Sequence, residues 1–226
     1  MLQYYMKCPY CNHSVTYKLK TGQEKCSRCK RKFSAQKIIL EHKIINCFCE
    51  DKNIFETSQD LGTNYITIQK RFLLYRKYLS SYLEEQYSFY ESKEYDEYVY
   101  LPKSKKKIKE NIFDAQNFLT FCYDETKVYN LLMPNLNRYK QQFQNDNLSE
   151  VYFKEFSSFM MFNKIAKIKK IDNTIVKFWI FFEEFILKYK GIDKKNFFYY
   201  LKECEFKFNY SKIEQKNILE RLLFDF

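Results

Sequence analysis

KCPYCNHSVTYKLKTGQEKCSRCKRKF, residues 7–33, contains two Cys-x-x-Cys pairs, Cys8/Cys11 and Cys26/Cys29, separated by 14 residues. Each pair suits a tight knuckle that turns two thiolates toward one point. Between them Ser14–Leu19 alternates like a strand, Thr21-Gly22 is a turn signal, and Gln23–Lys25 leads back, so a hairpin brings the knuckles together. Four thiolates around tetrahedral Zn²⁺ form a closed structural site. The reading is a zinc ribbon over residues 1–35, with Cys8, Cys11, Cys26 and Cys29 as ligands. His13 is a competing ligand, and a redox pair is the other use of such spacing. Arg28, Arg31 and Lys32 offset thiolate charge and suit phosphate contacts. The remaining cysteines, Cys47, Cys49, Cys122 and Cys204, are scattered.

The ribbon leads into residues 36–83, which read as helical. Ile38, Ile39, Ile44, Ile45 and Phe48 repeat at helical spacing, and Asp51-Lys52-Asn53 interrupts them. Ile54–Leu61 makes a short helix. Gly62 supplies a left-handed turn residue, and Asn64 is an N-cap for a helix running to about Leu79. Ile68, Phe72, Tyr75 and Leu79 form its inner stripe. Tyr65, Ile66, Gln69, Lys70 and Arg71 are left on the outer face, where a helix-turn-helix contacts the major groove. The alternative is a small helical packing unit with a solvated basic face.

Charge distribution agrees with a DNA-contacting head. Residues 1–83 carry 15 Lys and Arg against 6 Asp and Glu, a net +9, within a chain of net +11. A basic end on a nearly neutral body suits an electrostatic footprint for nucleic acid, the alternative being a generic basic surface. The 44 Phe and Tyr residues suit either a base-stacking surface or the codon bias of an AT-rich genome, and no function is read from their number. The sequence shows no apolar run of about 20 residues and no signal peptide, which predicts a cytoplasmic protein without a membrane association.

Residues 84–226 read as one α+β domain. YDEYVYL, NFLTFCYD and KVYNLLM are three strands of an antiparallel meander, with a turn at Asp124–Thr126. Val151–Ile165 is strand or helix. TIVKFWIFFEEFILKYKG is an amphipathic helix, and two more helices follow it. Glu97, Glu203 and Glu205 read as solvated or structural charges.

Particular motifs add a resemblance. Glu94-Tyr95-Asp96-Glu97-Tyr98 precedes a basic KSKKK stretch, and Lys127-Val128-Tyr129 leads to Pro134-Asn135. Phe178-Trp179 is followed by Tyr189-Lys190-Gly191-Ile192, and then by Asn196 through Tyr210 reading NFFYYLKECEFKFNY. With these motifs the chain resembles bacterial insertion-sequence transposases of the DDE class, of the ISXO type, along most of its length. The resemblance implies a zinc ribbon, a helix-turn-helix and a shortened RNase H-like domain. It also implies double-stranded DNA as partner, a possible homodimer, and two Mg²⁺ ions held by two Asp and one Glu. Asp96 matches the first acid. Lys154 stands at the second, and Val176 at the third, beside Phe178-Trp179. One carboxylate cannot hold two magnesium ions, so the expectation is a DNA-binding protein with an inactive catalytic site. The alternative is an active transposase using substitute carboxylates among Asp146, Glu155 and Asp172, for which Mg²⁺ would be needed.

Overall fold

The computed structural model describes residues 7–90, 94–105, 109–124, 126–134, 173–189 and 191–224. Among these it shows a mixed α and β chain with two three-stranded antiparallel sheets and six α-helices. The chain divides into two compact units, one of residues 1–79 and 210–226, the other of residues 80–209.

The first unit opens with strands β1 (Thr16–Lys18), β2 (Glu24–Cys26) and β3 (Lys32–Phe33), in that order across the sheet. Gly22 makes the β1–β2 turn at φ +78°, a backbone region that favours glycine. Helix α1 (Ala35–Cys49) starts at Ser34, whose hydroxyl accepts from the Lys37 N–H. Helix α2 (Ile54–Leu61) carries a capping box: Asn53 accepts from the Glu56 N–H, and Glu56 accepts from the Asn53 N–H. Gly62 ends it in the left-handed conformation at φ +56°. Asn64 then accepts from the Ile66 N–H and opens helix α3 (Tyr65–Tyr87).

Ile44, Ile45 and Phe48 of α1 are buried, as are Ile68, Phe72, Tyr75 and Leu79 of α3. Phe48 meets Phe72 and Tyr75 edge-on, with ring centroids 5.0 and 5.5 Å apart. Ile39, part of the same helical repeat, is exposed. Helix α3 passes the expected end at Leu79 because Leu83 continues its stripe and is fully buried. The last helix, α6 (Lys212–Phe224), packs on α1 instead of joining the body as expected from its place in the chain. His42 pairs with Glu220 at 2.8 Å, and its ring lies 4.9 Å from that of Phe224.

The second unit is built on β4 (Glu94–Tyr100), β5 (Gln116–Tyr123) and β6 (Lys127–Leu132), a meander in that order. Asp124 takes φ +48° in the short β5–β6 turn, a conformation that Asp tolerates better than most residues. Helix α4 (Thr174–Leu187) begins at Asn173, whose side chain accepts from the Val176 N–H. Its apolar face joins Tyr98, Phe118 and Val128 of the sheet in one core with Phe178, Trp179 and Phe182. Helix α5 (Phe197–Asn209) packs against both α4 and β6.

An edge strand leaves unpaired backbone groups that must be covered. Here α5 covers the edge of β6. Asn209 both donates to the Val128 carbonyl and accepts from its N–H, and Glu205 accepts from the Asn130 N–H and side-chain amide. The polar chain continues inward: Trp179 donates to Thr120, which donates to Asn130. Lys202 meets Glu205 at 2.9 Å, with both side chains 1% exposed. Glu203 and Glu205 are therefore structural charges, not solvated ones. Burial pushes the Lys202 pKa down and the Glu205 pKa up, while their mutual attraction opposes both shifts. Removing one partner strands a buried charge. Glu205→Ala should cost about 3–5 kcal/mol in urea unfolding; a loss below about 1 kcal/mol would contradict this role.

Candidate functional site

The two Cys-x-x-Cys segments adopt the same local structure. The Cys8 N–H donates to the His13 carbonyl, and the Cys26 N–H donates to the Arg31 carbonyl, each across five residues. The residue after each second cysteine is left-handed, Asn12 at φ +53° and Lys30 at φ +61°. These paired turns bring the four sulfurs within 4.8 Å of one another. Cys8–Cys29 and Cys11–Cys26 are each 3.6 Å apart. Zn–S bonds of about 2.3 Å in a tetrahedron place sulfurs about 3.8 Å apart, so the donor set fits such a metal.

The two buried thiols are shifted in opposite directions. Burial pushes the Cys8 thiol up to about 12. Burial acts the same way at Cys26, but backbone N–H groups of Cys29 and Arg28 overcome it and hold that thiol at about 6. Cys8, Cys26 and Phe33 form a very small core, with Tyr10, Cys11, Cys29 and Ile38 packed against it. Arg31 lies over the Tyr10 ring, 5.0 Å from its centroid. Arg28, Arg31 and Lys32 are exposed.

On α3, Tyr65, Ile66, Gln69, Lys70 and Arg71 are all exposed, while Ile68 and Phe72 between them are buried. Arg71 differs from the others in being tied back to α1. It pairs with Glu41 at 3.2 Å, and Glu41 also accepts from the Tyr75 hydroxyl at 2.7 Å. A charge at that position was legible in the sequence, but its partner, seated on another helix, was not.

Asp96 sits on β4 directly opposite Thr120 of β5, so both side chains stand on one sheet face. Trp179 of α4 reaches that face through its bond to Thr120 and lies 5.0 Å from the Tyr98 ring. Val176, one turn before Trp179, is 7% exposed and belongs to the same apolar core as Tyr98. Asp96 is exposed and accepts from the Glu97 N–H at 2.7 Å. Among the described residues, the four cysteines are the group of three or more His, Cys, Asp or Glu close enough to share a metal ion. Lys154, Asp146, Glu155 and Asp172 lie outside the described residues. No helix among the described residues is long and apolar enough to cross a membrane.

Local spacing did not reveal the chain from Trp179 through Thr120, Asn130 and Glu205 to Lys202. Its one sequence trace is the Lys202/Glu205 pair, three residues apart on a helix.

No protein-family model matches the chain. No solved structure matches it. A protein of Haemophilus influenzae described as transposase-like is 31% identical over 43% of this chain, and the match spans 94% of that protein. With a match of that identity over nearly all of the relative's length, the chain belongs to the family of transposase-like proteins.

Proposed function

We propose that this chain is a DNA-binding protein of transposase descent whose catalytic centre is inactive. The observation that carries the binding half is the α2–turn–α3 unit. A left-handed Gly62 and an Asn64 cap set the two helices, Ile68, Phe72, Tyr75 and Leu79 fill the inside, and Tyr65, Ile66, Gln69 and Lys70 remain exposed on α3. This is the pattern of a helix-turn-helix whose second helix enters the major groove. The net +9 of residues 1–83 favours attraction to phosphate. Arg28, Arg31 and Lys32 extend the cationic surface on the ribbon, and Arg71 spends part of its charge on Glu41.

In this reading zinc fills the four-cysteine site, and its role is structural: it links the two knuckles. Residues 84–209 derive from the RNase H-like domain of the ISXO type. The position that would hold the third acid is Val176, packed against the sheet on the Asp96 face. An aliphatic side chain has no lone pair for Mg²⁺. Lys154, at the second acid position, would repel a metal ion. Magnesium is accordingly not a cofactor of the protein as read here, and the DNA-binding head is its working part.

Two outcomes test this reading. Fluorescence anisotropy with duplex DNA should show affinity falling steeply with added salt, and Lys70→Ala should lower the log–log salt slope by about 1. A salt-insensitive affinity would contradict it. Metal analysis should find one zinc per chain, and Cys26→Ser should lose both the zinc and the duplex binding. Undiminished DNA binding by metal-free protein would contradict the structural role of the site.

A further inference from the structure

The register of the ribbon sheet places three side chains in one row. Tyr17 on β1 is directly opposite Lys25 on β2, and Lys25 is directly opposite Lys32 on β3. Directly opposed residues share a face. The alternating residues fix which face this is. Cys26 and Phe33, next to Lys25 and Lys32, are buried inside the ribbon. Thr16 and Glu24, flanking Tyr17 and Lys25, are bonded to each other at 2.7 Å on that same inner side. The row Tyr17–Lys25–Lys32 therefore stands on the outer face.

Exposure along this row is uneven, with Lys25 half-buried between two exposed neighbours. Tyr17 is 57% exposed, and Lys32 is exposed. Val15, just before β1, is 46% exposed. An exposed aromatic ring in line with two lysines matches one kind of partner. Single-stranded DNA offers unstacked base faces to an aromatic side chain and phosphates to cations. A duplex offers the phosphates but hides its base faces inside the stack, so it would use the lysines and leave the ring unused. Strands lie about 4.8 Å apart, so the two lysines follow the ring at one and two such steps, along one direction.

We infer that the outer face of the ribbon is a second nucleic-acid site, selective for single-stranded DNA. Tyr17 stacks on a base, and Lys25 and Lys32 hold the adjoining backbone. The inference rests on the reading of the head as a DNA-binding module, and it assigns the ribbon a contact different in kind from that of α3. The first site reads duplex; this one grips an unpaired strand.

The test uses the full-length chain with its metal bound, and fluorescein-labelled single-stranded and duplex oligonucleotides of the same sequence. Tyr17→Ala should weaken single-strand binding about fivefold or more, the lower end of a base–aromatic stack. Tyr17→Phe, which keeps the ring, should stay within about twofold of the parent. Duplex affinity should be unchanged in both. The double variant Lys25→Ala/Lys32→Ala should lower the single-strand salt slope by about 1.4, from two phosphate contacts. Three results would each overturn the inference: unchanged single-strand affinity in Tyr17→Ala, an equal loss on duplex and single strand, or Tyr17→Phe as weak as Tyr17→Ala. Zinc content reports whether each variant has folded, and the lysine pair tests the site if Tyr17→Ala does not. Duplex binding by Lys70→Ala reports on the α3 reading separately, so either site can fail without the other.

Discussion

Four sulfurs within 4.8 Å of one another are the constraint on which the head depends. The ribbon's own buried core is Cys8, Cys26 and Phe33, too little apolar surface to hold three short strands together. In the proposed reading a metal held by the four cysteines cross-links the eight strand residues of this sheet. Once that sheet exists, its register follows, and with it the outward row of Tyr17, Lys25 and Lys32. The same chain leads through Ser34 directly into α1, against whose Phe48 the aromatic stripe of α3 is packed. The placement of the proposed DNA-facing side chains is thus a consequence of local turns, caps and a small shared core.

The body is held by a different device. Its sheet edge at β6 is closed by side chains of α5, with Asn209 and Glu205 standing where another strand's backbone would be. This requires buried charge, and buried charge is tolerated only when paired and hydrogen-bonded. The pairing of Lys202 with Glu205 satisfies that condition. It also explains why a helix reading FFYYLKECEFKFN is enclosed despite its charges: they serve the sheet and not the solvent. The fold around Asp96 is accordingly well supported even though Val176 contributes only packing there. The proposed loss of the acid set is compatible with this scaffold, because different residues hold the sheet edge.

Much of this was legible in the sequence where the information is local. The knuckles follow from cysteine spacing, the α2–α3 turn from Gly62 and Asn64, and the meander from alternating residues and short turns. The parts that were not legible depend on partners distant in the chain. Helix α3 was read as running to about Leu79, with a helical or irregular connector over residues 80–93; the helix continues to Tyr87, with Leu83 keeping its stripe buried. Helix α6 was assigned to the body by sequence order, and only the structure shows it packed on α1. Asp96 was recognisable from its motif, but its position across from Thr120, with Val176 on the same side, required the register and the docking of α4. The Glu41 hold on Arg71 is likewise a contact between helices that no local pattern announces.

The measurement that bears most directly on the central claim combines binding and chemistry in one reaction. The full-length protein is incubated with labelled duplex DNA in Mg²⁺ or Mn²⁺, and the bound fraction and the strand products are read from the same sample. Bound, intact DNA is expected with either ion, at every protein concentration, with the same bound fraction for Asp96→Ala. Cleaved or joined strands that disappear in Asp96→Ala would contradict that claim, since they would require a working metal site built around that carboxylate.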